Sequence, residues 1–260
     1  MKFIASKDNP LFKLIKRLAS SARTRKLEGK TLIEGPHLIS DWLYYQRDEI
    51  LICVADDAIN DAEIDYLISR QPNYIIFNRR LFNEMSPVDN SVGLLGLVNR
   101  PKDKAVSEFD HKKDALWLDG IQDPGNVGTL LRTAAATGIH QILVSGGTDK
   151  IWSPKVLRGG MGSHFRLSFF DADAFETICF QQPNIIGTIV NASRTLYDMD
   201  LTEPTIWIAG SEGMGISDNI RQRMTEAISI PMDHDIESLN VAISLAICLF
   251  EQKRQRRYAA

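Results

Sequence analysis

The sequence predicts an α/β protein, with a parallel sheet covered by helices on both faces in its C-terminal half and a smaller α/β domain before it. Three observations carry this. Apolar runs of four to six residues without polar alternation recur at Gln141–Ser145, Ile185–Val190, Thr205–Ala209 and Ala227–Ile230, the signature of strands buried on both faces. Helical stretches separate them at Val127–Thr137, Ala172–Gln181, Asp218–Met224 and Leu239–Lys253, and parallel strands need such crossovers. Upstream, the charged, proline-containing Arg100-Pro101-Lys102-Asp103-Lys104 follows a strand and reads as a linker. The expected organisation is a first domain over 1–99, a linker over 100–113 and a second domain over 114–260 that begins with the strand Leu116-Trp117-Leu118.

In the first domain, Leu11, Leu14, Ile15 and Leu18 recur at helical spacing, with Lys13, Lys16 and Arg17 on the other face. The segment Pro10–Ala22 is therefore a basic amphipathic helix. Ser20 to Lys26 reads as a polar, basic connection. A strand at Thr31–Gly35 leads to a helix at Pro36–Tyr45, with Pro36 suited to a first turn. Strands at Glu49–Ala55, Tyr74–Phe77 and Gly93–Asn99 then alternate with helices at Ala62–Arg70 and Arg79–Glu84.

With 260 residues, 44% of them hydrophobic and 24% charged, the chain has the composition of a folded two-domain protein rather than a disordered one. The N-terminus has no apolar core followed by a small-residue cleavage site, which excludes a secretory signal. The run Leu239–Phe250 is too short to span a bilayer. Cys53, Cys179 and Cys248 lie far apart in apolar surroundings, the pattern of buried free thiols in a reducing cytoplasm. The five histidines lack metal-ligand spacing, and Asp233/Asp235/Glu237 lacks the glycine and terminal glutamate of a calcium loop, so no metal is expected. The net charge of −3 conceals an asymmetry. Residues 1–30 carry nine basic and two acidic side chains, a net +7 that leaves −10 for the remainder. A basic face on an acidic body points to a polyanion partner, since phosphate contacts dominate nucleic-acid affinity; a solvated basic helix is the plain alternative.

Three stretches in the second half carry the chemistry. Asp119-Gly120-Ile121-Gln122-Asp123-Pro124-Gly125-Asn126, continuing through Arg132 to Gly138, is strand end, turn and helix. Ile208-Ala209-Gly210-Ser211-Glu212-Gly213-Met214-Gly215 is strand end and glycine-rich loop. Ile228–Glu251 is a strand ended by Pro231, a polar turn, and a helix so uniformly apolar after Leu239 that it should be buried, in a protein core or a subunit interface. Read as residues alone, Asn126 caps its helix, Arg132 forms a surface ion pair and Glu212 is a solvated loop acid. Ser238 then caps the last helix and Asn240 bonds a nearby carbonyl. There is no GxGxxG after a strand and no GxxxxGK[ST], which excludes the common nucleotide-binding loops.

In this order, these stretches resemble motifs one, two and three of the SpoU (TrmH-type) branch of the SPOUT RNA methyltransferases, over roughly Ala115 to Glu251. The resemblance implies a trefoil-knotted domain, a homodimer joined through the C-terminal domain, and transfer of a methyl group from S-adenosylmethionine to a ribose 2′-hydroxyl of RNA. It also implies catalytic roles for Asn126, Arg132, Glu212, Ser238 and Asn240, and donor contacts from Gly210, Ile230 and Leu239. Ala242 departs from relatives that carry a second serine there. Leu32-Ile33-Glu34-Gly35-Pro36-His37-Leu38 and the basic helix resemble, more weakly, the ribosomal-protein-like RNA-binding domain that precedes many SpoU enzymes. This separate domain tilts the expected target towards ribosomal RNA over transfer RNA. Arg158 and His164, in the stretch between motifs one and two, are further candidates for RNA contact, with a structural role the stronger reading for His164, as for the other four histidines. A non-catalytic RNA-binding or ribosome-assembly factor on the same scaffold is the competing expectation.

Overall fold

The computed structural model describes residues 2–46, 48–71, 73–146, 150–175 and 184–259. The chain divides into two compact units, Met1–Lys102 together with Asp149–Phe165, and Asp103–Thr148 together with Arg166–Ala260.

The first unit runs β1 (Lys2–Ile4), α1 (Pro10–Ser20), α2 (Ala22–Glu28), β2 (Lys30–Glu34), α3 (Pro36–Tyr45), β3 (Ile50–Ala55), α4 (Ala62–Ile68), β4 (Tyr74–Phe77), α5 (Arg79–Met85) and β5 (Leu94–Asn99). Its sheet has the order β1-β4-β3-β5-β2. β1, β4 and β3 are parallel, and β5 runs antiparallel to both β3 and β2. Helix α2 replaces the expected irregular connection. Ser21, extended at φ −118°, ends α1 and accepts from the Thr24 amide at 3.1 Å, and Gly29 closes α2 at φ +59°. Seven residues are too few to display a helical period, which is why only the caps betray it. Arg25 also departs from expectation. It is buried and donates from Nη1 to the Leu18 carbonyl at 2.7 Å, so it terminates α1 instead of joining a basic surface.

The second unit opens with β6 (Ala115–Asp119), α6 (Pro124–Thr137) and β7 (Gln141–Val144). The chain then passes into the first unit, where α7 (Pro154–Gly160) lies against β2. Trp152, Phe165 and His164 are buried there; Phe165 meets Trp42 edge to face at 5.3 Å, and the Trp152 carbonyl accepts from Thr31 Oγ1 at 2.6 Å. This crossing has no periodic signal in the sequence, and residues 149–165 of the expected second domain over 114–260 belong to the first unit. Burial of His164 agrees with its reading as a structural histidine, whereas Arg158 is exposed.

The second unit resumes with β8 (Ser168–Asp171), β9 (Asn184–Thr188), β10 (Arg194–Thr195), β11 (Thr205–Gly210), α8 (Asp218–Arg221), β12 (Glu226–Ser229) and α9 (Val241–Ala259). Its sheet, β10-β12-β9-β11-β6-β7-β8, is parallel at every described pairing, as the unalternating strands predict. Of the helix expected at 172–181, Ala172–Phe175 is a 3-10 turn and the remainder lies outside the described residues, as does Cys179. Cys53 and Cys248 are buried free thiols whose pKa is pushed up to about 12 by burial.

Alternate residues of each strand serve opposite faces. Ala115, Trp117, Ile206 and Ile208 pack with Phe170, Ile216 and Ile220 on one side. On the other, Trp207 is fully buried, and its indole N–H reaches Gln252 of α9 at 2.9 Å. The last helix, expected in a core or a subunit interface, is buried within its own chain along one face only. Ala242, Leu245, Cys248 and Leu249 are buried, but Ile243 and Phe250 are each 52% exposed.

The His164 ring, bonded through Nε2 to the Ile151 carbonyl at 3.2 Å, is neutral at pH 7 because burial pulls its pKa down to about 4, against the opposing effect of that bond. Its folded value lies below its unfolded one near 6.5, so the unfolded chain binds more protons in between and stability is lost as pH falls from 6.5 through 4. Thermal midpoints measured across that window should therefore fall less steeply in His164→Gln than in the parent chain.

Candidate functional site

Parallel strands deliver their carboxyl ends to one edge of the sheet, where open α/β folds place ligands. Here β12, β9, β11 and β6 are successive neighbours. A cavity of about 840 Å³ opens where β9, β11 and β12 end, lined by Thr188–Ala192, by Gly210–Glu212 with Gly215 and Ile216, and by residues from Ile228 to Ser244. Gly210, Glu212, Ile230, Ser238, Leu239 and Asn240, all singled out in the sequence, line it.

Gly210 has a sharper reason to be glycine than approach to a ligand. A Cβ there would stand 2.5 Å from Gly215 C and Ile216 N, backbone atoms that cannot swing aside. The intervening turn is closed by reciprocal bonds between Ser211 and Gly215, both 2.9 Å, and by the Met214 amide on Ser211 Oγ at 3.1 Å. This turn holds Glu212 towards the start of α6. Its carboxylate accepts from the amides of Gln122 and Asp123 at 3.1 and 3.3 Å and from Asn126 Nδ2 at 2.8 Å. Partial burial raises the Glu212 pKa, but the bonds from Asn126 and from backbone amides outweigh it and hold the carboxyl below its ordinary value. Its stabilising contribution is complete at neutral pH and lost as pH falls through that lowered value.

Asn126 is not the helix cap. Asp123 is, taking the Asn126 amide on Oδ1 at 2.9 Å with Pro124 at the first helical position. The Asn126 side chain is thereby left to bond elsewhere, and its Oδ1 accepts from Asn240 Nδ2 at 3.0 Å. Asn240, and not Ser238, caps α9, accepting from Ala242 and Ile243 amides at 2.9 and 3.3 Å. One donor chain thus runs from the amino end of α9 through Asn240 and Asn126 to Glu212, joining all three stretches. A second clamp, the Ser217 amide on Asp119 at 2.7 Å, ties the end of β6 to the exit of the glycine turn.

Arg132 is exposed on α6, six residues beyond Asn126, about 9 Å along the axis. It does not line the cavity, and among the described residues its guanidinium has no partner. The loop Thr188–Ala192, with Asn191 at φ +62°, is a wall for which no residue was singled out in the sequence; its signal is position, at the carboxyl end of a buried strand. Among the described residues no cluster of histidine, cysteine or carboxylate side chains is arranged to hold a metal, and no helix is long and apolar enough to cross a membrane.

Residues 114–250 match the SpoU rRNA methylase family. The chain belongs to that family. It is 32% identical to an uncharacterized tRNA/rRNA methyltransferase of Synechocystis, over 97% of this chain and 94% of the relative. It is 26% identical to the 23S rRNA (guanosine(2553)-2′-O)-methyltransferase RlmP of Bacillus subtilis, over 96% and 98% of the two chains. A crystal structure of an RNA 2′-O ribose methyltransferase superposes with a TM-score of 0.83 at 27% identity, covering 98% of this chain and 99% of the other.

In this SpoU protein the glycine turn can be tested directly. Gly210→Ala should lower stability by about 1–3 kcal/mol, the range for forcing atoms into a filled site. Gly213→Ala, where an added Cβ meets nothing within 4 Å, should be close to neutral. Thermal denaturation of the two variants checks the contrast.

Proposed function

We propose that the chain methylates a ribose 2′-hydroxyl of ribosomal RNA, using S-adenosylmethionine held in the 840 Å³ cavity. The observation that carries this is the hydrogen-bond chain from α9 through Asn240 and Asn126 to Glu212 at the cavity's rim. The residues present fit such a donor. The volume is in the range of small-molecule sites, Ile230, Leu239 and Val241 offer apolar surface, and Ser238, Asn240 and the turn backbone offer polar groups. When bound, S-adenosylmethionine supplies a sulfonium-activated methyl group. The protein's part is to position a hydroxyl for in-line attack, which accounts for most of such a rate.

Asn126 and Asn240, their amides locked by Glu212 and the α9 amino end, present fixed dipoles to the acceptor ribose. Ser238 adds a hydroxyl at the same mouth. The Arg132 guanidinium stays protonated, so its role is to clamp a phosphate beside the target ribose and stabilise the alkoxide charge that develops there. Proton loss then falls to a neighbouring group or water. The relative from Bacillus, aligned along nearly the whole chain, favours ribosomal over transfer RNA as the substrate. The first unit is read as the RNA-binding domain, with exposed Lys13, Lys16, Arg17, Arg23 and Lys26 on α1 and α2 as its cationic surface. The trefoil-knotted topology and a cytoplasmic location belong to the same proposal.

The chain is also proposed to act as a homodimer. Ile243, Ile247 and Phe250 recur at helical spacing on α9, Ile243 and Phe250 half-exposed, and form an apolar stripe suited to a self-complementary interface. Phe250→Lys should convert a dimer to a monomer in light scattering.

Mapping 2′-O-methylation across total RNA should show one ribosomal position missing in cells without this protein and restored by the parent gene. Arg132→Ala should lower turnover by about 10²–10³-fold while leaving donor affinity unchanged, the pattern for losing a charge-stabilising group. Parent-like turnover in the variant removes Arg132 from the mechanism, and an unaltered RNA map removes the activity.

A further inference from the structure

Charged side chains are few around the cavity. Glu212 and Asp233 contribute carboxylates, His234 an imidazole, and Arg221 is the one arginine or lysine among the described lining residues. Arg221 ends α8, and its Nε donates to the Ile216 carbonyl at 3.0 Å. That bond fixes the guanidinium against the backbone leaving the glycine turn. Nη2 lies 3.8 Å from the point where a Cβ on Gly215 would stand, so the head runs beside the turn that forms one cavity wall. Among the described residues the two terminal nitrogens have no protein acceptor. A planar guanidinium tethered at one nitrogen and open at the other two is pre-organised for an anionic group of a ligand.

The role of Arg221 rests on the donor proposed for this cavity, which carries such a group. Its methionine part ends in a carboxylate. Glu212 and Asp233, both exposed at the cavity, suit the ammonium beside that carboxylate, which leaves the carboxylate itself to find a counter-charge. We propose that Arg221 supplies it: the two free guanidinium nitrogens bind the carboxylate of the donor's methionine moiety, and Ile216, through its carbonyl, sets the angle at which they do so. Arg221 is then a donor-binding residue contributed by the segment after the glycine turn, outside the positions that the three motifs mark. It fixes the amino-acid end of the donor, while the apolar walls receive the remainder.

Two ligands separate this from a merely structural role. S-adenosylhomocysteine keeps the amino-acid carboxylate and 5′-methylthioadenosine lacks the whole amino-acid part. Titration calorimetry with the full chain should show Arg221→Gln weakening S-adenosylhomocysteine by about 10- to 100-fold, the range of one charge-assisted bond. 5′-Methylthioadenosine affinity should stay unchanged, and Arg221→Lys should recover part of the loss. Equal weakening of both ligands would mean that Arg221 only shapes the turn, and overturns the inference. So does unchanged affinity for both, including the case where only the RNA dependence of turnover shifts, which would assign Arg221 to a phosphate. If the parent chain binds neither ligand, the donor site itself is wrong and the inference falls with it.

Discussion

A side-chain amide has a donor end and an acceptor end, and Asn126 satisfies both only because Glu212 and Asn240 meet it with opposite polarity. The Glu212 carboxylate accepts only, so the Asn126 nitrogen must face it and its oxygen must face away. Asn240 is constrained in the same sense from the other side: two backbone amides at the start of α9 occupy its oxygen, so its nitrogen must point to Asn126. Neither amide can flip without setting donor against donor. The chain has one direction, from the positive end of a 19-residue helix to an ionised carboxylate. Three segments separated by 86 and 114 residues are held by side chains with no freedom to exchange roles.

This arrangement rests on the sheet beneath it. β11 pairs with β6 in parallel, from Ile206 against Ala115 to Gly210 against Asp119, so both strands end together. The turn after one and the helix after the other therefore begin side by side, and the Asp119–Ser217 bond fixes their separation. α9 packs on both β11 and α6, and Gln252, bonded to Trp207, seats it on the sheet. The close approach at Gly210 belongs to the same geometry, since a wider turn would carry Glu212 away from the α6 amides.

Much of this is legible in the sequence. Buried parallel strands announce themselves by unbroken apolar runs, and β7, β9, β11 and β12 stand where those runs are. The site residues emerge through motif order, and the cavity gathers six of the eight, with Asn126 bonded to two of them. What escapes depends on contacts between distant residues. Asp123 and Asn126 are both good caps by type, and only the position of Glu212 decides which side chain is left to bond elsewhere. Asn240 against Ser238 is settled in the same way, by where the first turn of α9 begins. Arg25 counts as a surface charge in any composition, yet it is buried as the terminator of α1. The passage through Trp152 and Phe165 into the first unit leaves no periodic trace, because its apolar residues find partners more than a hundred positions away.

The last helix shows why its apolar run has two readings, core or interface. One face of α9 meets β11 and α6, and for those positions burial is the right inference. Ile243 and Phe250 lie on the face that nothing in this chain covers among the described residues, and Arg132 is exposed on the helix packed beside it. A sequence cannot distinguish an apolar residue buried by its own chain from one reserved for another molecule, because the hydrophobic effect rewards both equally. The polar network is complete within one chain, whereas Arg132 has no acidic partner among the described residues. The phosphate clamp proposed for that guanidinium is consistent with this: an exposed, unoccupied cation beside an uncovered apolar face is free to meet a group from another molecule.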